Sequence, residues 1–200
     1  NGEAVMNNLS SRYLFCIESK DSNPGGHGRD SNKEFILYSV FDREINAGAI
    51  ELNKNIIPYL YPTRKFIDMF LCTNGLPIAE NEQFEGYHAV GDEFKNRDYR
   101  LNAYVGAPTA VAKLSGTIGF NGYGVQKFAC PGAKDKEESP NYPVLRLAEV
   151  YLIYAEALYE RHGAIDDEAL NASINKLRSR AGIAALTNKL VADHQLNMLN

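Results

Sequence analysis

The chain has 200 residues, enough for one domain with a hydrophobic core, and its hydrophobic share of 44% is ordinary for a globular protein. A net charge of −4 argues against a nucleic-acid partner, because phosphate binding requires a basic face. The cysteines Cys16, Cys72 and Cys130 are far apart and form no Cys-x-x-Cys motif, which predicts partly buried free thiols rather than a zinc site.

The first 140 residues have the composition of loops joined by short elements. The stretch "DSNPGGHGRDSN", Asp21 to Asn32, predicts a loop, because glycine, proline, asparagine and aspartate punctuate regular structure. The run "KEFILYSVF" that follows is compact, apolar and rich in β-formers. It predicts a strand at about Glu34 to Phe41.

A helix is predicted over about residues 62–72, in "PTRKFIDMFL". Pro62 and Thr63 give its start, and "TNG", with Gly75, closes it. The spacing places three large apolar residues on one face, namely Phe66, Met69 and Phe70.

The stretch "NRDYRLNAYV" predicts a charged turn that leads into a short strand. Arg97, Asp98 and Arg100 could form a local ion-pair cluster there, for which we favour a structural role over a catalytic one. The glycine-rich "GTIGFNGYGVQKF" lacks the Gly-Lys-Ser/Thr of a phosphate loop. It predicts a hairpin around Asn121–Gly122 instead.

The segment Pro143 to Glu160, "PVLRLAEVYLIYAEALYE", predicts a long helix that ends at Gly163. Its charges fall on one narrow line, formed by Arg146, Glu149, Glu156 and Glu160. The other faces are apolar, which predicts burial on three sides. A membrane span is excluded, because such a span needs roughly 20 residues nearly free of charge.

A second helix is predicted in "EALNASINKLRSRAG", capped by Asp166 or Asp167 and ended by Gly182, and Thr187 is a candidate cap for a third. This tail resembles one unit of a tetratricopeptide-type repeat. A single unit cannot bury a helix that is apolar nearly all round, so we expect further partners. The predicted fold is mainly α: a loop-rich region with short strands over 1–140 and a tetratricopeptide-like helical hairpin over 141–200, within one structural domain.

Five segments occur in a recognisable order: "NKEFILYSVF", "YPTRKFIDMFLCTNGLPI", "FKNRDYRL", "NYPVLRLAEVYLIYAEALYE" and "ASINKLRSRAGI". Together they resemble the SusD/RagB-type outer-membrane nutrient-binding lipoproteins of Bacteroidetes, over about Asn32 to Asn200. The most specific part is "RLAEVYLIYAEA" followed by "NKLRSRAG". The resemblance implies a scaffold of tetratricopeptide-like units, with a loop-rich remainder that carries the ligand site.

The resemblance also implies a function. Family members are surface-exposed lipoproteins of the outer membrane that cover a TonB-dependent transporter of the SusC type, and they capture glycans or, in some members, peptides. They are not enzymes, so we expect no catalytic residue, cofactor or metal. We expect this chain to be a central to C-terminal fragment that lacks the lipidated cysteine, so that membrane attachment would come only from an anchor outside it.

The resemblance places the ligand site in variable loops, including the stretch between the "KEFILYS" strand and the "PTRKF" helix. The residues there whose chemistry suits a sugar are Arg43, Asn46, Asn53, Asn55, Tyr59 and Tyr61. Tyr59 and Tyr61 could instead simply pack near the neighbouring prolines. Weaker candidates are Tyr87–His88 and Phe120–Tyr123. The absence of Trp removes the best stacking platform and disfavours a long glucan.

Three other functions compete with sugar binding. A glycoside hydrolase needs two carboxylates across a cleft, whereas Glu149 and Glu156 lie two turns apart on a helix that looks structural. A tetratricopeptide-type interaction scaffold without a small ligand stays open, although the long polar loops argue against a pure repeat array. The triad lookalike in "HGRDS", with His27, Asp30 and Ser31, lies in a predicted loop and is not assembled from separated positions.

Overall fold

The computed structural model describes residues 6–17, 20–42, 44–45, 62–79, 81–89, 91–106, 123–128 and 139–196. This part of the chain is mainly helical, as predicted, with two small antiparallel sheets. The helices are α1 (Ser10–Tyr13), α2 (Arg64–Asp68), α3 (Tyr99–Tyr104), α4 (Leu147–His162), α5 (Asp167–Ala172), α6 (Ile174–Arg180) and α7 (Asn188–Asp193). The strands are β1 (Phe35–Ser39), β2 (Val105–Gly106), β3 (Gly124–Val125) and β4 (Tyr142–Arg146).

The strand predicted near Glu34 is confirmed as β1, and its partner corrects the long-helix prediction. β1 pairs antiparallel with β4, with Phe35 opposite Arg146 and Ser39 opposite Tyr142. The residues from Pro143 to Arg146 are therefore strand, and the helix begins only at Leu147. Proline is well tolerated at the start of a strand but costs a helix its hydrogen bond, and the pairing with a distant segment decides the outcome.

Helix α4 ends as predicted at Gly163, which adopts the left-handed conformation with φ 69°. Its predicted burial on three sides is not found within this chain, where only Ala148 and Ala155 are buried. Large side chains such as Leu152 and Ile153 are about half exposed, at 51% and 54%. Within the described ranges, no helix is both long and apolar enough to cross a bilayer.

The second predicted helix is two helices, α5 and α6, interrupted at Ser173. The Ser173 hydroxyl donates to the carbonyl of Ala169 at 2.5 Å, and its backbone leaves helical geometry. Asp166 caps α5 by accepting from the Ala169 amide at 2.7 Å, and Thr187 caps α7 in the same way, so both caps are confirmed. That this tail is tetratricopeptide-like, and that the chain divides near residue 140, stay predictions.

Helix α2 is shorter than the predicted 62–72, although its cap is confirmed: Thr63 accepts from the Phe66 amide at 3.2 Å. The buried residue is Ile67, whereas Phe66 and Met69 are 43% and 70% exposed. The rings of Phe66 and Phe70 contact each other, with centroids 5.2 Å apart, so these two residues share a face as predicted. The core around Ile67 comprises Phe94, Leu101, Val105 and Tyr123, with Phe70 and Tyr104 packed against it.

The charged stretch at Arg97 is partly as predicted. Asp98 caps α3, a helix where a turn was expected, by accepting from the Arg100 amide at 2.8 Å. The ion pair between Asp98 and Arg100, at 2.6 Å, is confirmed. Arg97 takes no part in that pair and binds backbone carbonyls instead.

Glu34 joins the loop-rich region to the helical tail. Its carbonyl accepts from the Leu147 amide at 2.8 Å, so it holds the first turn of α4. Its carboxylate pairs with Arg146 at 2.9 Å and also with Arg180 at the end of α6. One side chain therefore ties β1, β4 and α6 together.

Two further sequence predictions concern the thiols and the hairpin. Cys16 and Cys72 are free and buried, as predicted, and burial raises the pKa of the Cys72 thiol. Cys130 lies outside the described residues, as does the hairpin predicted at Asn121–Gly122.

Candidate functional site

The six residues of the predicted sugar site lie outside the described residues: Arg43, Asn46, Asn53, Asn55, Tyr59 and Tyr61. Phe120, one of the weaker candidates, does so too. The structure does describe the residues that follow this segment in the chain. Pro62 follows it directly, and the cap of α2 comes next.

At this point of the fold, Arg64 gathers side chains from four parts of the sequence. Its Nη1 donates to the hydroxyl of Tyr123 at 2.7 Å and lies 3.2 Å from the carboxylate of Glu93. Its Nε donates to Asp68, one turn along α2, at 3.0 Å. The Arg64 carbon Cζ lies 3.8 Å from the centroid of the Tyr87 ring. We call these five residues the Arg64 cluster.

Tyr87 provides an exposed aromatic surface in the Arg64 cluster. Its side chain is 53% exposed. The ring of Phe84 packs edge-on against it, with centroids 5.1 Å apart and an interplanar angle of 74°. The Tyr87 hydroxyl donates weakly to Asp68, at 3.4 Å. An aromatic ring fixed beside carboxylates and a guanidinium can pack against the C–H face of a sugar while the polar groups bind its hydroxyls.

The electrostatics of the Arg64 cluster hold its groups in fixed charge states. Burial, together with the hydrogen bond to Glu93, raises the pKa of Tyr123 to about 12, so its hydroxyl stays protonated. Burial also raises the pKa of Tyr87. Burial alone would lower the pKa of Arg64, but Glu93, Tyr123, Asp68 and Tyr87 together outweigh it and raise that pKa.

Arg97 fixes the position of α2 beneath the Arg64 cluster. It is 2% exposed, and its Nη2 donates to the carbonyls of Ile67 and Phe70 at 2.9 and 2.8 Å. Its Nη1 donates to the carbonyl of Glu93 at 2.8 Å. The guanidinium therefore satisfies carbonyls at the end of α2 and binds that end to the turn that carries Glu93.

Other sites considered from the sequence do not assemble. The Ser31 hydroxyl donates to the Gly28 carbonyl at 2.6 Å inside a short 3-10 turn, which is no nucleophile arrangement. Glu149 and Glu156 are both exposed on α4. Among the described residues, no three His, Cys, Asp or Glu side chains are grouped to hold a metal ion.

Comparison with protein families gives one match, over the C-terminal part of the chain. Residues 114–199, which include β3, β4 and helices α4 to α7, match the family model described as "SusD family". This matched segment, which is less than half of the chain, resembles the SusD/RagB type. No curated protein matches the chain.

Two solved structures share the fold. A SusD-like carbohydrate binding protein from Bacteroides fragilis matches with a TM-score of 0.60 and 18% identity, over 97% of this chain and 44% of its own. A SusD-like protein from the same organism matches with a TM-score of 0.52 and 20% identity, over 84% of this chain and 40% of its own. The chain thus spans less than half the length of either structure.

Sequence reasoning reached part of the Arg64 cluster. Tyr87 and Tyr123 were among the weaker candidates, and the structure brings both onto Arg64, but His88 contributes no described contact to it. Arg64, Asp68 and Glu93 were missed. The one local signal was the spacing of Arg64 and Asp68, which is typical of an ion pair on one helix face.

Proposed function

We propose that the protein is the cell-surface nutrient-binding component of a TonB-dependent glycan uptake system, which captures oligosaccharide and passes it to a SusC-type transporter in the outer membrane. The SusD/RagB character of the chain and its shared fold with a SusD-like carbohydrate binding protein support this function. The observation that carries it is the exposed Tyr87 ring, held by Arg64 and flanked by carboxylates.

The proposed ligand site combines the Arg64 cluster with the residues that precede α2. The loop candidates Arg43, Asn46, Asn53, Asn55, Tyr59 and Tyr61 stay part of this proposal, as further amide, hydroxyl and aromatic groups. Asp68 and Glu93 supply acceptors for sugar hydroxyls, while Arg64 is a donor. A planar ring bordered by such groups suits a pyranose.

The rest of the proposal follows from the family. The protein would be an outer-membrane lipoprotein exposed at the cell surface, attached through a lipid anchor outside this chain. It would bind its ligand without turning it over, and it would need no cofactor or metal. The tetratricopeptide-like tail would act as scaffold rather than as a ligand site.

The test is a titration of the full-length protein with oligosaccharides, followed by calorimetry on Tyr87→Ala. We expect at least one oligosaccharide to bind, and Tyr87→Ala to weaken that binding about tenfold, because a tenfold change is about 1.4 kcal/mol, the size of a good aromatic contact. The matched control is Tyr159→Ala on α4, which removes a ring of similar exposure, 45%, far from α2 in sequence. No heat with any oligosaccharide would sink the proposal.

One observation favours a second candidate, a protein-interaction scaffold or a peptide binder. The exposed apolar side chains of α4, including Leu152 and Ile153, are suited to contact with another protein. A protein of this kind would bind a peptide or partner but no sugar. The same oligosaccharide titrations, extended to mixed peptides, separate the two functions.

A further inference from the structure

Lys127 holds its ammonium among aromatic rings. It follows β3, and its Nζ lies 4.4 Å from the ring centroid of Phe15, 5.3 Å from that of Tyr104 and 5.6 Å from that of Phe128. Its side chain is half-buried. Ring faces attract a cation, but they are poor acceptors for the three hydrogen bonds that an ammonium can donate.

The ammonium of Lys127 has no anionic partner in the part of the chain that the structure describes, and no hydrogen bond there either. Burial lowers its pKa, the nearby Arg146 lowers it further, and no carboxylate raises it. A half-buried charge without compensation is costly, and it is rare unless it serves a ligand.

The residues around Lys127 add positive charge and do not neutralise it. Arg146 lies over the same Phe15 ring that Lys127 contacts, with its Cζ 5.1 Å from the ring centroid. Arg146 and Arg180 share a single carboxylate, that of Glu34. Among the described residues, these three cations therefore have one acid between them, in a chain whose net charge is −4.

Phe128, one of the rings that Lys127 contacts, stacks in turn on an exposed aromatic ring. Phe128 lies nearly parallel to Tyr142, with an interplanar angle of 11° and centroids 6.3 Å apart, and Tyr142 is 57% exposed. Phe128 itself has φ 66°, a conformation that bulky residues rarely adopt. Backbone strain of this kind persists where the surrounding structure imposes it, and it clusters at ligand sites.

We propose that Lys127 and Tyr142 form a subsite for an anionic sugar, one that carries a carboxylate or a sulfate. The ammonium pairs with the anion, and the exposed face of Tyr142 packs against the sugar ring. The proposal rests on the proposed glycan function for its class of ligand, but neither Lys127 nor Tyr142 belongs to the Arg64 cluster.

Charge decides for an anionic sugar over a neutral one. A neutral hydroxyl could accept from Lys127 but would leave the excess charge of Lys127, Arg146 and Arg180 in place. A carboxylate or sulfate supplies the missing charge and accepts a charge-assisted hydrogen bond. The flat ring of Tyr142 favours a saccharide over an acidic protein segment, because it offers an exposed stacking face.

The test is calorimetry of the full-length protein with three sets of oligosaccharides: oligogalacturonates, sulfated galactans and neutral galacto-oligosaccharides. Lys127→Met should weaken binding of the carboxylated or sulfated set at least tenfold and leave neutral binding unchanged. Tyr142→Ala should weaken the same anionic set, and the carboxylate and sulfate arms show which anion is preferred. The control, Lys189→Met, removes a lysine on α7 that is 80% exposed and paired with Asp193.

A fold-independent readout accompanies the variants. In the unmodified protein, affinity for the anionic set should fall as salt rises, whereas affinity for neutral sugars should not. The subsite would be wrong, and the glycan function would stand, if only neutral sugars bound. The same conclusion would follow if the affinity for anionic sugars did not change with salt or with Lys127→Met. Binding of no oligosaccharide at all would overturn both.

Discussion

Arg64 and Tyr123 are joined by a 2.7 Å hydrogen bond in which the guanidinium donates to the phenolic oxygen. The same hydroxyl donates to the Glu93 carboxylate at 2.7 Å. Tyr123 therefore lies between a cation and an anion, and its ring belongs to the core around Ile67. The candidate sugar surface is thus built directly on the hydrophobic core, which fixes the position of its polar groups.

The first prediction concerns the pH dependence of this arrangement. The pKa of Tyr123 is raised from 10.0 to about 12 in the folded protein, so the folded state holds the proton more tightly than the unfolded state does. The resulting stability is fully present below pH 10 and is lost as the pH rises towards 12. A tyrosinate absorbance titration should show a phase near pH 12 that Tyr123→Phe removes.

The control for that titration is Tyr159→Phe, which removes an exposed tyrosine of α4. It should leave the phase near pH 12 in place. If all tyrosines of the unmodified protein titrate together near pH 10, the hydrogen bond between Tyr123 and Glu93 does not exist in solution.

The second prediction tests Arg97 as the group that anchors α2. Lysine cannot present the planar fork that reaches the carbonyls of Ile67, Phe70 and Glu93 at once. Arg97→Lys should lower the free energy of unfolding by about 1.5–3 kcal/mol, the value of a hydrogen bond to a charged group. Urea denaturation measures it, and Arg161→Lys, on the exposed end of α4, should change stability by less than about 0.5 kcal/mol.

Arg97→Lys should also weaken oligosaccharide binding, because α2 carries Arg64 and Asp68. Equal stabilities for Arg97→Lys and Arg161→Lys would show that the carbonyl contacts contribute nothing, and the anchoring role would be wrong.

The third prediction concerns the carboxylate that ties the loop-rich region to the tail. Glu34→Gln leaves Arg146 and Arg180, each about 30% exposed at the side chain, without their common anion. We expect a loss of about 1–3 kcal/mol of unfolding free energy, because removing one partner leaves partly desolvated charges. The exposed pair of Lys189 and Asp193 is the comparison: Asp193→Asn should cost below about 1 kcal/mol.

Chemical denaturation of the two variants decides this prediction. Losses of the same size would mean that water screens the Glu34 pairs as fully as the exposed pair. The Glu34 pairs would then add no more stability than an ordinary surface ion pair.

The sequence predicted elements whose signals are local. Gly163 ends α4 and Thr187 caps α7 because a left-handed glycine and a hydroxyl cap act within one turn of chain. Pro143 to Arg146 was misassigned, because its strand exists only through pairing with β1, far away in sequence. The break at Ser173 was missed for a different reason: the hydroxyl bonds back to Ala169 in a run that is otherwise helical in pattern.

The candidate site was harder to predict than the fold. Tyr87 and Tyr123 each have a side chain suited to sugar binding, but nothing in the sequence predicts that both contact Arg64. That meeting depends on β2 and β3 pairing across a long connection, which places Tyr123 in the core. The position of Lys127 among three rings is equally invisible in sequence, because those rings come from distant parts of the chain.

The last prediction separates backbone strain from steric contact at two glycines. Gly163 and Gly182 share the same φ, 69°, yet a Cβ at Gly163 would meet nothing within 4 Å, whereas one at Gly182 would overlap the ring of Tyr99. Gly163→Ala should cost about 1–2 kcal/mol, the strain of a left-handed alanine. Gly182→Ala should cost about 1–3 kcal/mol more, because the Tyr99 ring must move. Urea denaturation of both variants measures the difference, and equal losses would mean that α3 and the end of α6 do not pack as closely as the structure shows.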